Sequence, residues 1–139
     1  MDLFEWAEEF VKFSKLRINS NAKSQFNSSE IIIEENKNSQ KIITKYFIDK
    51  SLDVLINKHV NCLQKTDEKI YFICENIKKN IDILYHEWKR VIQNPNLVVI
   101  YVDLNQQTKW LIRPYSHNLI ADPETLEEGL NSLYSGPKE

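Results

Sequence analysis

Two apolar runs, Ile70-Tyr71-Phe72-Ile73-Cys74 and Leu97-Val98-Val99-Ile100-Tyr101-Val102, place the tightest limit on how this chain can fold. Runs that are almost continuously apolar suit strands covered on both faces. Between them Ile77, Ile81, Leu84, Trp88 and Ile92 recur at helical spacing, so residues 76–93 read as a helix with Asn76 as its cap. Asn94-Pro95 then ends it. The pattern predicts a βαβ unit whose right-handed crossover leaves its two strands parallel.

The flanking segments supply the remaining elements. Leu3, Trp6, Ala7, Phe10 and Phe13, with acidic residues between them, predict an amphipathic helix over 2–16. Residues 17–29 are rich in Asn and Ser and read as a flexible loop. Ile31-Ile32-Ile33 and residues 42–48 read as two antiparallel strands joined by a polar turn. Residues 51–63 read as a helix behind Ser51 as N-cap, and Thr108 to Ile112 as an antiparallel strand. Asp122-Pro123-Glu124 starts a last helix with Leu126, Leu130 and Leu133 as its buried stripe, stopped at Gly136-Pro137 before a short polar end at 135–139. The expectation is one mixed α/β domain over 1–139, with a central sheet of about five strands and helices on its faces.

Composition narrows the function. A net charge of -2 gives no general attraction for phosphate backbones, so nucleic-acid binding would need a locally basic face. Met1-Asp2-Leu3-Phe4-Glu5 lacks the start of a secretory signal and no apolar run reaches bilayer length, which sets a cytoplasmic expectation with no membrane partner. Cys62 and Cys74 read as free thiols. Only two glycines are present, too few for a P-loop or a Rossmann phosphate loop. His59 and Cys62 have a ligand-like gap without a second pair, so no structural metal or cofactor is expected.

Open sheets bind ligands beyond the carboxyl ends of parallel strands. That rule gathers Glu75, Asn76, Lys78 and Asp103 near one another at one edge, where two carboxylates can hold a divalent metal and a lysine can stabilise negative charge; Asp49, Glu75, Lys78 and Asp103 are the candidate catalytic residues. The plainer reading makes them a cap, a turn and solvated side chains. The most distinctive local sequence is Lys109-Trp110-Leu111-Ile112-Arg113-Pro114-Tyr115-Ser116-His117-Asn118. A strand leaving the sheet there would present Arg113, Tyr115, His117 and Asn118 together to an anionic ligand or a partner chain. Against that stands ordinary packing of Tyr115 and local backbone bonding of the polar groups.

The order helix, strand, strand, strand, helix, strand, with 51–63 set aside, resembles the core of PD-(D/E)XK nucleases and their inactive relatives. The resemblance implies magnesium held by one acidic strand residue and a following acid-x-Lys. Glu35-Asn36-Lys37 has no acidic strand residue before it. Asp49 followed by Glu75 fits the order better, yet Ile77 stands where the lysine belongs and Lys78 is one position late. The distinctive stretch, with Ile77-Lys78-Lys79-Asn80-Ile81-Asp82 before it and Leu126 to Leu133 after it, is also similar over the C-terminal half to a small family of uncharacterised, chiefly archaeal proteins. That likeness implies no activity.

Two functions follow as expectations. The first is a non-catalytic interaction module, binding another protein or itself through a sheet edge or the aromatic-rich helices, against which stands the plain reading of Trp6, Phe10 and Phe13 as core. The second is a metal-dependent nuclease, or a nuclease-derived nucleic-acid-binding module, with magnesium needed only there.

Overall fold

A computed structural model describes residues 1–16, 21–27 and 29–135. Six strands form one mixed sheet in chain order: β1 (Lys23–Phe26), β2 (Glu30–Lys37), β3 (Gln40–Ile48), β4 (Lys69–Glu75), β5 (Leu97–Asp103) and β6 (Thr108–Ile112). β3, β4 and β5 run parallel, while β1 and β2 form an antiparallel arm on β3 and β6 is antiparallel to β5. The two long apolar runs pair as predicted, Ile70 opposite Leu97 and Cys74 opposite Tyr101.

Two successive crossovers of one hand bring their helices to the same face. The packing agrees: α2 (Leu52–Lys58), α3 (Lys78–His86), α4 (Trp88–Val91) and α6 (Leu126–Tyr134) share one core with Phe47, Phe72, Cys74, Val99 and Tyr101. α1 (Leu3–Val11) covers the other face, where Leu3, Ala7 and Val11 meet Ile31, Ile33, Tyr46, Ile73 and Ile100. Alternation along β4 and β5 therefore feeds two cores at once, which is why both runs are apolar throughout. Burying one such aliphatic side chain contributes about 1.5–3 kcal/mol.

Polar side chains close the turns between these elements. Asn80 is buried in α3; its carboxamide accepts from Leu52 N at 2.9 Å and donates to the carbonyls of Lys50 and Glu75, both at 2.8 Å. Ser51 makes no side-chain capping bond, so Asn80 takes the role expected of it. Nor does Asn76 cap α3: Ile77 holds that position, and the Asn76 carboxamide accepts from Trp110 Nε1 at 3.0 Å.

Several expectations are corrected. The sheet has six strands, because Lys23–Phe26 pairs with β2 inside the segment read as loop; residues 17–20 and 28 lie outside the described residues, as do 136–139 with the Gly136-Pro137 stop. The N-terminal α-helix ends at Val11 and continues as a wider turn over Lys12–Leu16. The helix over 51–63 becomes α2 followed by a tight turn at Val60–Leu63. No strand leaves the sheet after Ile112; instead α5 (Pro114–Ile120) forms, with Pro at its first position where no N–H is missed. Leu133 is exposed rather than part of the α6 stripe.

Candidate functional site

The carboxyl edge of the parallel strands gathers the expected residues without converging them. Asp49 follows β3, Glu75 ends β4 and Asp103 ends β5. Glu75 pairs with Val102, so Asp103 is one step out of phase with it and faces the opposite side of the sheet. Local backbone occupies the aspartates: Asp49 accepts from Ser51 N at 2.9 Å, and Asp103 from the N–H groups of Asn105 and Gln106 at 3.1 Å. Lys78 donates to Asp82 at 2.6 Å and Asn131 at 2.7 Å, tying α3 to α6. Among the described residues no three His, Cys, Asp or Glu side chains come together as a metal-binding group.

Nor does the structure keep the four residues at 113–118 as one set. Asn118 accepts from Trp88 Nε1 at 3.0 Å, and His117 stands edge-on to the same indole with centroids 5.7 Å apart. These two therefore anchor α5 to α4. Arg113 and Tyr115 remain exposed.

A different surface emerges around them. A groove of about 380 Å³ runs between the end of β6, α5 and α6, lined by Leu111, Arg113, Ile120 and Leu133 among others. Ile120 is 87% exposed and Leu119 69%, unusual for adjacent aliphatics in an ordered helix. The cause is local. α5 buries only Pro114 and holds on through polar side chains, so its aliphatic end has no core to enter. Leu111 and Leu133 are also exposed, extending the apolar surface across β6 and α6. Contiguous apolar exposure of this kind marks binding surfaces. Among the described residues β6 is also the last strand of the sheet on this side.

Three internal sites complete the inventory. Glu35 on β2 is buried, with Lys15 at 3.7 Å and Lys37 at 3.9 Å, and it shares a face with Thr44 and Tyr46 on β3. Burial first, then Tyr71 and Glu35, push the Tyr46 hydroxyl far above its ordinary range. His59 stacks on Phe47 with centroids 3.8 Å apart, and burial lowers its pKa. Cys74 is fully buried and its thiol is pushed up by that burial, which makes it a poor nucleophile; half-buried Cys62 is shifted the same way.

The groove is not legible as a set of convergent polar groups, because four of its lining side chains, Leu111, Ile112, Ile120 and Leu133, are aliphatic. The available signal is Leu119-Ile120, two aliphatics behind Asn118 whose preceding turn offers Tyr115 as its one apolar partner. The chain matches no protein-family model, no curated protein and no solved structure. No helix among the described residues is long and apolar enough to cross a membrane.

Proposed function

We propose that this chain is a non-catalytic protein-interaction module that docks a short apolar segment carrying an acidic residue into the groove between β6, α5 and α6. The observation that carries this reading is the exposure of Leu119 and Ile120 beside that groove. Arg113 on the rim supplies the charge preference. The free edge of β6 offers backbone groups to an extended partner. A cytoplasmic partner suits two free thiols, one of them buried.

The test is selection from a random peptide display library on the purified chain, followed by binding to variants. Enriched peptides should combine aliphatic residues with Asp or Glu and lose binding to Ile120→Asp and Leu133→Asp. No enrichment, or peptides that bind these variants as well as wild type, would remove the reading. Sedimentation across a concentration series adds a second arm: dimerisation abolished by Ile120→Asp would make a second copy of this chain the occupant and replace the peptide-segment reading.

A second reading keeps the nuclease-derived module. With β1 included, α1, β1, β2, β3, α2 and β4 follow the helix, three strands, helix, strand order without setting any helix aside. On that alignment β3 offers Thr44-Lys45-Tyr46, with no carboxylate, and the buried acid among the three on β2 is Glu35, between two lysines. Magnesium- or manganese-dependent cleavage of labelled DNA or RNA, lost in Glu35→Gln or Glu75→Gln, would establish an enzyme. Binding without cleavage would leave the nucleic-acid module.

A further inference from the structure

We propose that the end of the sheet where β4 and β5 begin carries an oxyanion site that takes a phosphate group, free or as a monoester. The site is a cleft of about 180 Å³ lined by Lys69, Tyr71, Pro95, Asn96, Val98 and Arg113. That space is far above the roughly 10–15 Å³ one water requires. Register explains the grouping. Tyr71 pairs with Val98, and Val99 with Ile112, so Arg113 continues the ladder beside Val98. Lys69 and Asn96 form the next row on the same face by alternation.

The charge of the cleft is one-sided. Among the described residues its lining holds a lysine and an arginine and no carboxylate. Glu68, adjacent in sequence, alternates to the other face and pairs with Lys45 at 3.1 Å. Among the described residues no ion pair engages Lys69 or Arg113. Two unpaired cations sharing one concavity concentrate positive potential there, although the chain as a whole has a net charge of -2.

The walls are fixed before any ligand arrives. The Tyr71 ring stacks on Tyr46 with centroids 4.7 Å apart, and buried Val98 forms the floor. Buried Asn94 accepts from Asn96 N at 2.9 Å and donates to the Cys62 carbonyl at 2.8 Å. The Asn96 carboxamide donates to the Thr66 carbonyl at 2.6 Å, which leaves its second N–H for a ligand. A preset wall reduces the ordering entropy of binding. Arg113, Lys69, Tyr71 and Asn96 bring donors to one cleft, and two cations suit a phosphate dianion better than a singly charged carboxylate.

The cleft and the apolar groove share only Arg113, so this inference does not rest on the peptide-docking reading. The test is amide NMR of the full chain titrated with inorganic phosphate, with glycerol phosphate as a monoester, and with acetate as the carboxylate control. Saturable shifts should centre on Asn96, Val98 and Arg113, with acetate weaker. Lys69→Gln and Arg113→Gln should each weaken binding about tenfold or more, one charge-assisted contact, while Lys109→Gln leaves it unchanged. Tighter binding of the monoester assigns the ligand to a phosphorylated molecule, and tighter binding of inorganic phosphate assigns it to the free ion. Shifts that do not saturate, that centre elsewhere, or that survive both cleft substitutions would overturn the proposal.

Discussion

The Asn80 carboxamide oxygen accepts a hydrogen bond from the Leu52 backbone N–H at 2.9 Å, across 28 positions of sequence. One buried side chain on α3 thereby closes the start of α2 and, through its amide donors, the ends of the two turns that follow β3 and β4. Removing it strands the buried Leu52 N–H and takes one of two donors from each of the Lys50 and Glu75 carbonyls, which keep the N–H groups of Glu75 and Ile77. Asn80→Ala should cost about 2–4 kcal/mol in urea denaturation, whereas Ser51→Ala should change stability by less than about 0.5 kcal/mol. Equal losses would show that the helix start depends on its own N-cap side chain instead.

His59 should make stability depend on pH in a defined direction. Burial holds its folded pKa below the ordinary 6.5, Lys58 adds to that, and Glu30 opposes it. The unfolded chain therefore binds the proton more readily. The stabilisation is fully present above about pH 6.5 and is lost as pH falls through that value toward the lowered folded one. Melting temperature followed from neutral pH downward should fall less steeply in His59→Gln than in wild type. Parallel profiles would assign the acid loss to other groups.

The turn joining β2 and β3 holds Asn38 at φ 52° and Ser39 at φ 65°. Two consecutive positive values suit a tight hairpin, and Asn tolerates the region better than Ser. Ser39→Gly should stabilise the chain by about 0.5–1 kcal/mol, the relief of left-handed strain exceeding the added freedom of the unfolded chain. Thermal denaturation checks the sign.

The two thiols should react very differently. Cys74 is fully buried and Cys62 half-buried, and burial raises the pKa of each. Under native conditions a thiol reagent should modify Cys62 slowly and Cys74 only after unfolding. Rapid native labelling of both, read by mass spectrometry, would contradict the packing of β4.

Legibility in the sequence followed the hydrophobic pattern. β4 and β5 were readable because each feeds two cores, so their composition admits no competing element. β1 was not, since Lys23-Ser24-Gln25-Phe26 is an edge strand with three exposed side chains and carries no apolar signal. α5 was missed for a related reason: Trp88 holds it through Asn118 and His117, polar contacts that leave no apolar stripe. Asp49, Glu75 and Asp103 lie at the carboxyl ends of β3, β4 and β5, but their failure to converge depends on the Glu75–Val102 register, which residue types alone do not fix. Arg113 shares the groove with His117, while the ladder sets it beside Val98 and Asn118 turns to Trp88.

Docking in the groove stands or falls on Ile120, the most exposed large apolar side chain described. The decisive measurement is the dissociation constant of a library-selected peptide for wild type and Ile120→Asp, with melting temperature recorded alongside. The predicted result is an affinity loss of about 30-fold or more, the scale of an anchor contributing about 2 kcal/mol, at unchanged melting temperature. Unchanged affinity in that variant would contradict the assignment of this surface as the binding site.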